Sequence, residues 1–527
     1  MKSICIRVLN NKWFHLLMNA AIFALMAGLL PIHFEANDDV AMCAIASGKY
    51  SGAPDGHIVY INALFGWLLA GLYSLTRAVE WYTVVFCVVQ VVAMTGITYA
   101  FVTERKLHIA LKVLLIVFLY VFWARIIIAF QFTTTTGLLC ASGCIALLKP
   151  NRKWHWAGFL AIVVASLLRL QAAAMVGLLF APMLLARLLD DKKLFSWLIV
   201  TLLLVFLGYV GDRLCYRSPE WKEYMEYNAL RAYINDNPNA DLAEWELPEG
   251  IDKDDYQMLH WFSVDPQVID KEDLQAIKSV IRGRITLKSA VSNLTQLLGY
   301  ATTLAMLSVG YVLLIMAIVL SEKERSRRQR FVALAPPILT LLIFWMFVLY
   351  FGITAVLKPR AFFCLLLPVV CQMLMQFPVA NTRRVRMITG AMACLMAVMT
   401  IKYVKQVDKV NKLYHAQQEE FDTFIYPLIQ NRTDALHGGL SEYLSPFAVK
   451  DIAFRPVSMG WMTKIPFNKG VMESHLDYVD SGILYLSGAD GPPTGISNSI
   501  ERNYGVKVAI ETVDSNEKYA LYKFVSQ

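Results

Sequence analysis

The chain is 527 residues long, 57% hydrophobic and only 17% charged, with a mean hydropathy of +0.47. These figures exclude an ordinary soluble domain and point to a polytopic membrane protein. The net charge of +8 does not mark a nucleic-acid partner, because the basic residues sit in short clusters between apolar runs, as the positive-inside rule expects of cytoplasmic loops.

Runs long enough to span a bilayer, about 20 residues each, fall near 13–33, 57–76, 81–102, 109–130, 132–148, 156–188, 194–211, 299–320, 331–353, 360–378 and 386–403. The first, about Trp13 to Ile32, has no small-residue cleavage site and is expected to stay as the first helix. One crossing per run would put Arg105-Lys106 and the Lys149/Arg152/Lys153 cluster outside, against the charge rule. The conflict disappears if 57–76 lies in the outer leaflet as a juxtamembrane or re-entrant element and 156–188 makes two crossings. A turn at Arg169 and Gln171 then also removes a charge from the middle of the membrane.

Eleven crossings result. With the N-terminus inside, the clusters Arg105-Lys106, Lys149/Arg152/Lys153, Arg187/Lys192/Lys193, Lys323/Arg325/Arg327/Arg328/Arg330 and Arg383/Arg384/Arg386 all lie inside. The Asp38-Asp39 loop, the turn near Arg125 to Thr136, Arg169, the 212–298 loop, Lys358-Pro359-Arg360 and the tail from 404 lie outside.

The expected fold class is an all-α polytopic membrane protein, about 11 transmembrane helices plus juxtamembrane helices, with a small extracytoplasmic mixed α/β C-terminal domain. The membrane domain covers 1–403, with a first external loop at 34–80 and a large helical loop at 212–298. Ser218-Pro219 opens a helix in that loop, and Trp221, Tyr224, Met225, Ala229, Ala232 and Tyr233 follow at helical spacing until Asn237-Pro238. Asp265-Pro266 and Asp270 mark later helix starts. The second domain is 404–527. It begins with a helical pattern (Val410, Leu413, Phe421, Phe424, Leu428) and continues with strand-like pieces at 483–486, 506–510 and 519–524, the last two separated by a turn at Asp514-Ser515-Asn516.

Chemistry-bearing residues collect outside. Asp38 and Asp39 adjoin Glu35 and Asn37, and Pro54-Asp55-Gly56-His57 follows. A carboxylate or His at the interface suits a general base that deprotonates an acceptor hydroxyl, and Asp38 with Asp39 suits a hard divalent cation such as Mg or Mn. Arg125, Arg169, Lys358 and Arg360 each stand at the outer end of an apolar run, where a phosphate leaving group needs cations. Each is also placed to snorkel to lipid headgroups. Trp221, Tyr224 and Trp261 are candidate sugar-stacking rings, or else an interfacial belt or the loop's own core. His260, Asp254 and Asp255 are loop ligands without diagnostic spacing. Thr133 to Thr136 are expected to cap a helix.

The nine cysteines show no CxxC pair, and Cys43 and Cys215 are expected as free thiols. Gly-rich phosphate loops, nucleophile elbows and HExxH are absent.

Asn37-Asp38-Asp39 resembles the acidic motif in the first external loop of the C-type (GT-C) superfamily of polytopic glycosyltransferases, and Pro54 to Leu72 resembles the juxtamembrane helix that follows it. Leu167-Leu168-Arg169-Leu170-Gln171 is similar to that superfamily's basic residue at the outer end of a middle helix. Lys358-Pro359-Arg360-Ala361-Phe362-Phe363 with Pro368 is similar to its late Pro-Arg-aromatic segment. The order of elements matches across the chain, whereas the C-terminal 120 or so residues match no known pattern. Asp-Asp stands where members often show Asp-Glu, Glu-Asp or a His-Pro-Pro opening. This sets the chain apart from the protein mannosyltransferase and aminoarabinose transferase branches and nearer to bacterial members linked with surface polysaccharides.

The resemblance implies a multi-pass enzyme of the plasma (inner) membrane that moves a sugar from a polyprenyl-phosphate donor to a glycan or lipid-linked acceptor on the outer face. Asp38, then Asp39, would be the base, Arg125, Arg169, Lys358 and Arg360 would hold phosphate, and Asp55, His57, Gln171, Trp221, Tyr224 and Trp261 would meet the acceptor. The resemblance fixes no cofactor and leaves a divalent cation, Mg or Mn, open. The alternatives are a lipid-linked glycan flippase or carrier, and a polysaccharide polymerase or ligase.

Overall fold

In lipid, every backbone amide has to be satisfied within its own segment, so apolar runs of this length cross only as helices. The computed structural model describes residues 8–104, 106–321, 327–379, 382–438, 445–451 and 453–527. In chain order the helices are α1 (Lys12–Leu29), α2 (Asn37–Ser47), α3 (Ala63–Leu75), α4 (Trp81–Val102), α5 (Ile109–Ile128), α6 (Phe132–Leu147), α7 (Arg152–Leu168), α8 (Leu170–Leu188), α9 (Lys193–Cys215), α10 (Pro219–Asn235), α11 (Lys253–His260), α12 (Lys271–Gly283), α13 (Leu287–Asn293), α14 (Ala301–Ser321), α15 (Arg327–Thr354), α16 (Pro359–Met375), α17 (Arg383–Glu420) and α18 (Thr494–Tyr504).

Among the described residues, eight stretches are long and apolar enough to cross a membrane: α1, α4, α5, α8, α9, Leu287–Ser321, Gln329–Thr354 and Arg383–Ile429. The other three expected crossings, α6, α7 and α16, have only 16 or 17 residues. All of α6 and most of α16 are buried among other helices, so neither has to match the thickness of lipid on its own. The expected 156–188 run divides at Arg169, which is extended (φ −160°, ψ 99°) and both ends α7 and opens α8.

The run at 57–76 yields α3, 13 residues and about 20 Å long, short of a hydrocarbon core of about 30 Å. Asn62 caps it by accepting from the Leu64 amide (2.9 Å), and the Asn62 amide side chain donates to Gly208 O (2.9 Å). The Ala63 amide donates to Asp212 (2.8 Å). These bonds tie the start of α3 to the end of α9.

The helix ends form two clusters. At one end, Lys149 pairs with Glu104 at 3.0 Å and also donates to Ala100 O, while His155 Nε2 meets Lys149 O at 2.7 Å. The 187–193 connection leads into the same end, where Trp197 packs on His155 and Trp156; Arg105, Lys323 and Arg325 lie outside the described residues. At the other end, β1 (His33–Phe34) pairs in parallel with β2 (Ala129–Phe130), and the C-terminal domain docks there through Tyr50 OH to Asn468 and Thr83 Oγ1 to Pro446 O.

That domain holds a five-stranded sheet in the order β4 (Arg455–Val457), β3 (Ala435–His437), β5 (Ile483–Gly488), β7 (Tyr519–Ser526), β6 (Val508–Ser515). The expected turn is present, with Asn516 Oδ1 accepting from the amides of Lys518 (3.0 Å) and Tyr519 (2.9 Å). Position 404 lies inside α17, which runs unbroken to Glu420 and carries the chain out of the bundle as a rigid rod.

The 212–298 loop builds its own core from Tyr227, Leu230 and Ile234 of α10, Leu259 of α11, and Leu274, Ile277 and Ile281 of α12. It then packs on the C-terminal domain. Arg502 reaches Asp255 at 2.7 Å and Asp252 and Asp254 at 3.3 Å, the His475 amide donates to Asp265 (2.7 Å), and Lys464 and Lys469 pair with Glu223 and Glu220 (both 2.8 Å). Asp254 and Asp255 thus serve this interface.

Arg502→Gln is expected to cost about 2 kcal/mol, below the range for a fully buried pair because the Arg502 side chain is 31% exposed whereas that of Asp255 is 6% exposed. Faster amide exchange across α18 in the variant is the measurement; unchanged exchange would show that the ion pairs do not hold the domain.

Candidate active site

The β1–β2 pairing brings the end of α1 to the junction of α5 and α6, in the register His33 to Ala129 and Phe34 to Phe130, with the Glu35 amide donating to Phe130 O (3.0 Å). Glu35 is thereby set beside Arg125. Helix α2 starts two residues later, with Asp38 and Asp39 in its first turn, where carboxylates suit the helix dipole. It stops at Gly48, whose φ of +80° and close approach to Ala53 and Pro54 leave no room for a Cβ.

The two aspartates diverge. Asp39 is fully buried, and its Oδ1 accepts from Tyr82 OH (2.8 Å) and the Phe132 amide (3.3 Å). Burial pushes its carboxyl well above the ordinary range despite the Tyr82 bond, and neighbouring Asp38 pushes the same way. Asp38 remains 18% exposed and faces the Arg360 guanidinium at 3.8 Å.

Three of the four expected cations meet here. Arg125 is 9% exposed, lies 5.1 Å from the Phe363 ring centre, and acts on Glu35 together with Arg360. Burial raises Glu35 in spite of both. Arg169 is held between the rings of Tyr60 and Phe132, 5.3 Å from each, and donates to Tyr60 O (3.3 Å). Burial lowers its pKa, and Tyr60, Asp38 and Arg360 are its charged or polar neighbours.

Four polar atoms in this cluster are buried without a hydrogen-bond partner: Glu35 Oε2, Asp39 Oδ2, Arg125 Nη1 and Gln131 Nε2. Unsatisfied buried polar atoms are uncommon and call for an explanation, and their concentration at one place is what a ligand site produces. Gln131 uses its carbonyl oxygen to cap α6, accepting from the amides of Thr133 and Thr134, while the hydroxyls of Thr134, Thr135 and Thr136 bond back to the carbonyls of Gln131 and Phe132.

Lys358 does not join the cluster; it pairs with Asp236 of the large loop at 2.7 Å. Asp55 and His57 pair with each other at 2.7 Å, His57 stacks on Trp221 (4.8 Å, 20°), and its Nε2 lies 3.3 Å from Cys215 O. Burial raises Asp55, and the bonds from His57 more than reverse it. Trp221 and Tyr224 are buried between the large loop and the C-terminal domain, where Trp221 meets Phe467 and Tyr224 OH donates to Trp461 O (2.8 Å). These four side chains join the first loop to the large loop and the C-terminal domain. Trp261 is 66% exposed and lies against Gly495 of α18. Gln171 is exposed and lines a cavity of about 90 Å³ with Tyr60, Asn62, Leu170 and Asp212, next to Arg169. Cys43 and Cys215 are free.

Among the described residues, no group of three or more His, Cys, Asp or Glu side chains is arranged to hold a metal ion.

Two residues of the site carry no signal in the sequence: Tyr60 and Tyr82. Tyr60 follows Val59, whose φ of +61° is strained for a β-branched residue by about 1–2 kcal/mol. The Val59 amide donates to Tyr216 OH (2.9 Å), which fixes this turn and aims Tyr60 at Arg169. Burial and then Asp38 push the Tyr60 phenol up to about 12.

No family model matches the chain, and no curated protein matches it. Among solved structures it is similar to the crystal structure of ArnT from Cupriavidus metallidurans bound to undecaprenyl phosphate, with a TM-score of 0.49 and 9% identity over 97% of each chain.

Proposed function

We propose that this chain is a membrane glycosyltransferase of the GT-C type, taking a sugar from a polyprenyl-phosphate donor to a glycan or lipid-linked acceptor. The observation that carries the reading is the meeting of Asp38 with Arg125, Arg169 and Arg360 at one end of the bundle, amid buried polar atoms that lack partners. Because the basic connections belong to the other end, the positive-inside rule turns the cluster and the C-terminal domain to the outer face of the plasma membrane.

Asp38 is the base, because a base has to reach the proton it takes. Asp39, fully buried and held toward its neutral form, orients the turn through Tyr82 and the Phe132 amide. The acceptor hydroxyl gives its proton to Asp38 as its oxygen bonds to the anomeric carbon. The bond from that carbon to the phosphate oxygen breaks on the opposite face, inverting the configuration. Polyprenyl phosphate leaves as a stable anion and needs no general acid. Arg125, Arg360 and Arg169 hold it and stabilise the charge that develops on its oxygens. The reaction as proposed runs on these groups alone.

The test uses reconstituted vesicles given a polyprenyl-phosphate donor labelled in its sugar. Release of unglycosylated polyprenyl phosphate with the label on a new acceptor supports the reading. Label that crosses the membrane still attached to its lipid would replace the enzyme with a carrier.

A further inference from the structure

We propose that Arg231, with Asn228 and Tyr60, forms an anion subsite for the acceptor, so that the acceptor carries a carboxylate or phosphate near the hydroxyl that attacks. The inference rests on the glycosyltransferase reading and adds the chemical class of the second substrate.

Arg231 stands on α10 of the large loop and is 4% exposed. Its Nε and Nη2 both donate to one neutral acceptor, Asn228 Oδ1, at 3.1 and 2.9 Å. No carboxylate among the described residues pairs with it. The groups on which its charge acts are the phenols of Tyr60, Tyr224 and Tyr227. A buried guanidinium is normally compensated by an acid, because removing a charge from water is costly. The other buried arginine of the site, Arg125, has Glu35 beside it. Arg231 has no such partner, and an anionic ligand supplies one.

The position of Arg231 relates it to the chemistry. Asn228 lies beside both Arg231 and the Tyr60 side chain, and Tyr60 in turn neighbours Asp38 and Arg169. The order through the site is therefore Arg231, Asn228, Tyr60, then Asp38 with Arg169 and Arg360, then Glu35 with Arg125. Inversion requires the acceptor and the leaving phosphate to lie on opposite faces of the anomeric carbon. With Arg125 and Arg360 on the donor side, the Tyr60 and Arg231 side is left for the acceptor. Tyr60 also faces Trp461 of the C-terminal domain, with ring centres 5.0 Å apart, so both the loop and that domain border the subsite. The strained turn at Val59 that aims Tyr60 is the kind of backbone cost that persists at working sites.

Full-length protein in detergent is titrated with methyl glucuronide, glucose 6-phosphate and uncharged methyl glucoside, with thermal unfolding as the readout. Wild type is expected to be stabilised by at least one charged probe and not by the glucoside; which charged probe binds separates carboxylate from phosphate. Arg231→Gln is expected to weaken that binding at least tenfold, Arg231→Lys to retain most of it, and Lys358→Gln, whose ion pair lies outside the cluster, to leave it unchanged. Unliganded unfolding temperatures identify any variant that fails to fold, and the Lys variant then carries the comparison. Equal binding of charged and uncharged probes, no charged binding, or undiminished charged binding by Arg231→Gln would overturn the inference. Loss of the parent reading would appear elsewhere, as label that crosses the membrane still attached to its lipid in the vesicle assay, with anion binding at Arg231 still measurable.

Discussion

Asp38→Asn is expected to lower sugar transfer in reconstituted vesicles by about 10²- to 10⁴-fold, the usual effect of removing a general base. The amide keeps the shape of the side chain in the first turn of α2, and Asp38 is half-buried with one long contact, 3.8 Å to Arg360, so folding and insertion are expected to survive. Asp39 provides the contrast. Asp39→Ala strands Tyr82 OH and the Phe132 amide in a fully buried place, at about 1–3 kcal/mol for each unsatisfied group, and is expected to lower the unfolding temperature as well as activity. Asp39→Asn keeps an acceptor for both donors and is expected to be milder. Transfer at the wild-type rate by Asp38→Asn would remove Asp38 from the chemistry.

Arg125→Gln is expected to lower kcat/KM for the donor by about 10²- to 10³-fold, the range seen when one preorganised donor to a developing anion is removed, and to leave the acceptor KM nearly unchanged. Arg125 is 9% exposed and its Nη1 has no partner, so little of its hydrogen-bonding capacity goes to holding the fold. Equal losses for donor and acceptor would count against a phosphate role and for a general disturbance of the loop. Lys358→Gln is a useful reference: its ion pair with Asp236 lies at the edge, with both side chains more than 40% exposed, and only a small change in donor kinetics is expected.

The short α3 and the break at Arg169 show how far charge placement in a sequence can reach. Both follow from one requirement, that every basic cluster share a side, and the structure supplies the local causes: Asn62 pins α3 to α9, and one extended residue divides α7 from α8. The aromatic residues of the large loop were less legible. Trp221 and Tyr224 have the side chains of a sugar platform, yet they are buried against His57, Tyr216 and Phe467 because the C-terminal domain covers them. No local pattern announces which face of an amphipathic helix a distant domain will occupy.

The sequence by itself determined the class of the protein, its long apolar helices, the folded loop, three of the five strands of the second domain, and the two aspartates and four cations to consider. Hydrophobic periodicity, turn residues and charge asymmetry are local or one-dimensional, and a single chain displays them directly. Only the tertiary structure decided that Asp38 faces a guanidinium while Asp39 turns inward, that Lys358 leaves the cluster, and that Tyr60 and Tyr82 enter it. The reason is physical. Those outcomes depend on a two-residue strand pairing between 33–34 and 129–130, a strained Val59, and burial that acts across more than a hundred residues of chain, none of which leaves a periodic trace.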